Sequence, residues 1–162
     1  MLTSHTHAQP DVTHCLLHPS DPKDWISNLC PIGAARSFLT AGKLTLLPSY
    51  ITASELAIQT KILYPPAGGL TGPLNWYKCH MAHLNDDDDA AIPEEKKFIE
   101  QPTLQVTCSK DVIALAPMAE AATRKWAKDF RLESLDTGHW VYLEMPDEVN
   151  EILKKFFEEV DG

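Results

Sequence analysis

One aspartate and one histidine carry the chemistry this sequence is best placed to do. Asp111 follows the run Thr103-Leu104-Gln105-Val106-Thr107-Cys108, and His139 follows Phe130-Arg131-Leu132-Glu133-Ser134-Leu135 after the turn Asp136-Thr137-Gly138. The first run is rich in β-formers and lies between Pro102 and the turn Ser109-Lys110-Asp111; the second alternates strictly. Both read as strands. If they pair in parallel, the loops beyond their carboxyl ends are neighbours, where ligands bind in open α/β sheets. A carboxylate within reach of an imidazole there fixes the tautomer and stabilises the imidazolium as it forms, the orienting half of a triad. Spacing alone leaves a second reading open, a solvated turn aspartate and an unrelated loop histidine. Asp136, three residues before His139, competes as the partner, although a strand-end position suits a turn role better.

Other chemical residue types are less organised. Cys79, His80 and His83 could offer three metal ligands, but no fourth ligand or second cluster accompanies them, so a helix surface and no metal are expected. Cys108 is expected to be buried in its strand rather than nucleophilic. Trp140 suits either a substrate wall or packing behind His139. The run Asp86-Asp87-Asp88-Asp89 lacks the alternating spacing of a calcium loop and reads as a solvated loop. His5, His7, His14 and His18 have no metal spacing and read as surface residues.

These residues need positioning elements. Residues 1–13 are polar and aperiodic, and read as disordered or loosely attached. Residues 14–84 are mostly helical and interrupted by prolines. Trp25, Ile26 and Leu29, then Ala34, Phe38 and Leu39, suggest two short helices meeting near Cys30-Pro31. Thr52-Ala53-Ser54-Glu55 reads as a capping box opening a helix that Pro65-Pro66 ends. Gly68 to Pro73 reads as a loop, and Leu74 begins a helix reaching about Leu84. Residues 85–101 read as an acidic linker loop. In 102–162 the order is strand, loop, helix (Ala114 to Lys128), strand, loop, helix. Pro146 fits the first position of the last helix, whose apolar stripe is Val149, Ile152, Leu153, Phe156, Phe157 and Val160. The fold class is α/β, with one βαβα unit at the C-terminal end.

At 162 residues the chain has a one-domain length, with 44% hydrophobic and 23% charged residues. Its formal net charge of −9, without a basic stripe, argues against nucleic acid or an anionic membrane as partner. Cys15, Cys30, Cys79 and Cys108 have no CxxC pairing and read as free intracellular thiols. No signal-peptide pattern and no run of 18 apolar residues occurs, so a cytoplasmic protein is expected.

Three blocks, in order, resemble one family. Gly72-Pro73-Leu74-Asn75-Trp76-Tyr77, Pro102 through Asp111, and Asp136-Thr-Gly-His139-Trp140-Val-Tyr-Leu-Glu144-Met-Pro146-Asp-Glu-Val149-Asn150 resemble α/β-hydrolases of the epoxide-hydrolase type. Leu29-Cys30-Pro31-Ile32-Gly33-Ala34, leading into Pro48-Ser49-Tyr50, resembles the lid of fungal members. The resemblance implies a partial α/β-hydrolase fold: part of a helical lid (cap) plus the last βαβα of the core. It implies that His139 is the general base, Asp111 orients it, and Tyr77 is a lid donor to the epoxide oxygen. Trp76 and Trp140 would line a site for a hydrophobic epoxide, with no cofactor.

The departures are equally specific. No Gly-x-Asp-x-Gly or Gly-x-Ser-x-Gly elbow occurs in the chain, and neither does the His-Gly-x-Pro oxyanion segment. The nucleophile is absent. The second lid tyrosine has no counterpart, since Tyr50 falls in a later break. Two functional classes follow: a truncated epoxide hydrolase whose nucleophile lies in sequence not present, or a non-catalytic remnant binding a ligand or protein partner through the lid. With only two strands and an unpaired edge, three outcomes are open: a marginal monomer, association with another chain to complete the sheet, or a shortened gene.

Overall fold

The computed structural model describes residues 12–63 and 69–160. Six helices come first: α1 Val12–Leu17, α2 Asp24–Asn28, α3 Ala34–Ala41, α4 Ala53–Leu63, α5 Thr71–Met81 and α6 Asp86–Ala90. A 3₁₀ turn at Glu94–Lys96 leads into β1 Thr103–Cys108, α7 Ala116–Trp126, β2 Phe130–Leu135, α8 Val141–Glu144 and α9 Pro146–Val160. The protein is thus mixed helix and strand with a small parallel sheet. Pro65-Pro66 and the N-terminal residues 1–11 lie outside the described residues.

β1 and β2 pair in parallel, Thr103 opposite Phe130 through Cys108 opposite Leu135. The ladder continues past the strands, with Ser109 N donating to Leu135 O and Lys110 N to Thr137 O. This extension brings the two following loops together. Thr103 N donates to Asp129 O, so alternation of the ladder turns the backbone groups of Leu104, Val106 and Cys108 toward β1's other edge. Among the described residues that edge has no neighbouring strand.

Among the described residues two separate apolar clusters form. Cys15, Leu16 and Phe38 are buried together, with Val12, Leu29, Ala35 and Leu47 against them. Cys108, Val141 and Val149 form the second, with Leu135 and Leu153. The α9 stripe is therefore used unevenly: Val149 is buried, whereas Phe157 and Val160 are exposed. A two-strand sheet is too narrow to cover the whole helix face.

The capping box forms as its spacing predicts: Glu55 N donates to Thr52 Oγ1 at 3.2 Å, and Thr52 N donates to Glu55 Oε2 at 3.1 Å. The short helices α2 and α3 fall on either side of Cys30-Pro31 as the apolar spacing suggests. Three expectations are corrected. The acidic run is helical, because carboxylates in a first turn face unsatisfied N–H groups and the positive end of the helix dipole. Val12 and Thr13 begin α1 rather than a loose terminus. His14 and His18 are buried rather than superficial: His18, just past the end of α1, donates its backbone N–H to His14 O, and its ring packs on Trp140, ring centroids 4.7 Å apart.

Val149→Ala removes two methyl groups from the second cluster, at its most buried residue. A loss of about 2 kcal/mol of unfolding free energy is expected, read as a lower urea midpoint at unchanged slope.

Candidate functional site

Asp111 is built into a turn immediately beyond β1. Its Oδ1 accepts from Ile113 N at 2.7 Å and Ala114 N at 3.0 Å, so the carboxylate closes the turn with one oxygen. The other oxygen, Oδ2, lies 2.8 Å from His139 Nδ1. The side chains are 5% and 34% exposed respectively. A carboxylate only accepts, so Nδ1 carries the proton of this bond, and in the neutral ring it is Nε2 that has the free lone pair. Burial pushes the Asp111 carboxyl up, but hydrogen bonds from Ile113 N, His139 and Ala114 N, together with the histidine's charge, outweigh it. The net position is below the usual carboxylate range.

Asp136 is occupied elsewhere. Its carboxylate accepts from Ser109 Oγ at 2.6 Å and Lys110 Nζ at 2.8 Å, which ties the turn after β2 to the turn after β1. Those two hydrogen bonds, Lys110's first, lower its pKa. Asp111 is the partner of His139.

The loop bearing His139 is held from behind by a residue that sequence reasoning did not single out. Glu144, at the end of the one-turn α8, accepts from Gly138 N at 2.8 Å and from Trp140 N at 3.3 Å. This explains Gly138 in terms of space rather than dihedral freedom. A Cβ there would lie 2.9 Å from Glu144 Oε1 and 3.1 Å from Pro22 Cγ. The available signal was an acid five residues after the histidine, within reach of the turn that carries it.

Two indoles flank the imidazole edge-on, Trp25 with centroids 5.3 Å away and Trp140 at 5.4 Å. Both also serve the end of α1, whose last carbonyls lack helical partners. Trp25 Nε1 donates to Leu16 O at 2.6 Å, and Trp140 Nε1 donates to Leu17 O at 2.8 Å. Trp140 thus packs beside His139 with its polar atom committed. Trp25's part was missed because its helical spacing marked it only as core.

A cavity of about 360 Å³ opens in front of the dyad, lined by Val106, Cys108, Asp111, His139, Val141 and Leu153 among others. Tyr77 and Trp76 do not line it. They stand on α5, which buries none of its residues, at 66% and 79% exposure. Cys79, His80 and His83 lie along a separate surface groove, where His83 Nδ1 meets Asp86 Oδ2 at 2.9 Å. Among the described residues no group of three or more His, Cys, Asp or Glu side chains is arranged to hold a metal ion.

Behind Trp140, burial and the neighbouring His14 drive the His18 pKa down to about 4, against an opposing hydrogen bond with Gln59. Tyr50 is raised above its ordinary value by burial first and by the negative charge of Glu144 second.

What the fold and site define together is an α/β unit presenting a carboxylate-oriented histidine beside an apolar cavity. No family model matches the sequence. The chain is 27% identical over 92 residues to Epoxide hydrolase srdG of Neurospora crassa, covering 56% of this chain and 27% of that protein. It is 33% identical over 91 residues to Bifunctional epoxide hydrolase 2 of Mus musculus, 56% of this chain and 16% of that one. The Rattus norvegicus protein of the same name is 33% identical over 109 residues, 67% of this chain and 19% of that one. The matched stretch spans between about a sixth and just over a quarter of the length of these relatives. The identities support an epoxide-hydrolase-like relationship. No helix among the described residues is long and apolar enough to cross a membrane.

The two shifted groups give acid unfolding two stages. His18 is held neutral when folded, so stability is full above its unfolded value of 6.5 and falls as pH drops from there to about 4. Asp111 is depressed, so its contribution is present above its unfolded value of 3.8 and is lost as pH falls through the lower folded value. Urea midpoints measured against pH should lose the upper stage in His18→Gln and the lower stage in Asp111→Asn.

Proposed function

We propose that this chain carries the water-activating half of an epoxide-hydrolase-like site, on part of an α/β-hydrolase fold of the fungal soluble type. The observation that carries this reading is the 2.8 Å contact between His139 Nδ1 and Asp111 Oδ2 at the carboxyl ends of two parallel strands. The similarity to epoxide hydrolases supports the choice of chemistry. In this reading an aspartate from sequence outside the chain opens a hydrophobic epoxide and forms an alkyl-enzyme ester. His139 Nε2 then takes a proton from water, the hydroxide adds to the ester carbonyl, and the carbonyl–alkoxide bond breaks. The departing alkoxide takes back the proton held by His139, the acid formed from the ester passes the water's second proton to the oxygen freed from the epoxide ring, and the diol leaves with the carboxylate restored. Asp111 stabilises the imidazolium formed in between. Tyr77 would donate to the epoxide oxygen once α5 is closed over the cavity.

A second reading rests on the exposure of α5. Trp76, Tyr77 and Met81 are largely uncovered and do not line the dyad cavity, as suits a non-catalytic chain that binds a partner through this surface.

The hydrolytic half is testable without the missing nucleophile. The 162-residue chain should accelerate hydrolysis of an activated aryl ester, and His139→Gln should remove about 100-fold of that acceleration. Asp111→Asn, which sets an amide against Nδ1, should reduce it as well. A wild-type rate equal to buffer sinks the first reading and leaves the second.

A further inference from the structure

We propose that Glu144 is the positioning residue of His139. Its carboxylate spans the histidine, one oxygen accepting from the amide before it (Gly138 N, 2.8 Å) and the other from the amide after it (Trp140 N, 3.3 Å). The span is set by α8, where Leu143 N and Glu144 N both donate to Trp140 O at 2.8 and 2.9 Å. That turn folds the Glu144 side chain back under the loop that precedes its own helix. The arrangement resembles a capping box, in which an acid early in a helix reaches back to the N-cap amide. Here the acid reaches that amide and, two residues earlier, a second one. With both flanking peptides pinned, the His139 backbone has little freedom to turn, and the ring meets Asp111 through Nδ1.

The surroundings are consistent with a site built around this carboxylate. Gly138 has no room for a Cβ because Glu144 Oε1 and Pro22 Cγ occupy the space. An anion accepting two backbone N–H groups makes charge-assisted hydrogen bonds, stronger than the neutral bonds that would replace it. Asp111 itself is fixed independently by its own turn, so the geometry of the dyad depends on what holds His139.

The inference deepens the reading of His139 as a base, and its readout is separate from turnover. Nitrogen-resolved NMR of the imidazoles in the full 162-residue chain, with His139→Gln for assignment, reports which ring nitrogen bears the proton. The wild type should show the Nδ1–H tautomer, hydrogen-bonded to Asp111. Glu144→Ala should shift His139 toward the Nε2–H form that free histidine prefers in water, and lose the hydrogen-bonded Nδ1 proton. Glu144→Gln keeps one acceptor oxygen and should retain part of the Nδ1–H signal. A folded Glu144→Ala chain with the wild-type tautomer overturns the proposal. If the alanine variant does not fold, the glutamine variant decides: a folded chain with a weakened Nδ1–H signal supports the proposal, and an unchanged signal overturns it. A chain inactive on esters that still shows this tautomer dependence would refute the proposed activity and leave the role of Glu144 standing.

Discussion

The indole N–H of Trp140 ties together parts of the chain that are 123 residues apart in sequence. Its bond to Leu17 O closes a carbonyl at the end of α1, a helix of six residues that could not persist on its own propensity. Trp25 closes the adjacent carbonyl, and the two indoles then stand on either side of His139. An unmade hydrogen bond at a buried carbonyl costs about 1–3 kcal/mol, so the join is strongly specified. Because Trp140 follows His139 directly, the groups that secure the early helices also limit where the imidazole can go. His18 stacks on the far side of Trp140 and stays neutral there, which avoids placing a charge behind the ring.

The parallel pair contributes a second constraint. Two strands in register deliver Asp111 and His139 to the same end of the sheet, and the Lys110–Asp136 and Ser109–Asp136 contacts lace the turns together. Asp111 then serves two functions with its two oxygens, closing a turn and orienting a base. The pairing is a property of backbone geometry, whereas the choice between Asp111 and Asp136 depends on side-chain partners.

That difference decides how much could be read in advance. The strands, the last helix and the capping box follow from local rules such as alternation, an apolar stripe beginning at a proline, and Thr52 with Glu55, all of which operate within a few residues. The candidate base and its acid were legible because each directly follows a strand. Burial of His14 and His18 was not, since it depends on Trp140 far along the chain. Glu144 belongs to the third resemblance block, but its role is not legible there for a related reason. Its partners are backbone amides, which have no sequence identity, and only the folded loop shows that they converge. The helical form of Asp86–Ala90 is not legible from ligand spacing, the test that reads the run as a solvated loop; it follows from where the charges fall on a helix end.

The edge of β1 that pairs with no strand among the described residues has a colloidal consequence. Thr103 to Cys108 contains no charged residue, is rich in β-formers, and has a row of backbone donors and acceptors on the side away from β2. Such a row is a template for edge-to-edge pairing between molecules. The long-range opposition to that encounter is the repulsion between chains of net charge −9. Repulsion of this kind extends about 10 Å at 0.1 M salt and only about 3 Å at 1 M. Dispersal of the chain in solution therefore depends on ionic strength, and added salt lets these edges approach to pairing distance.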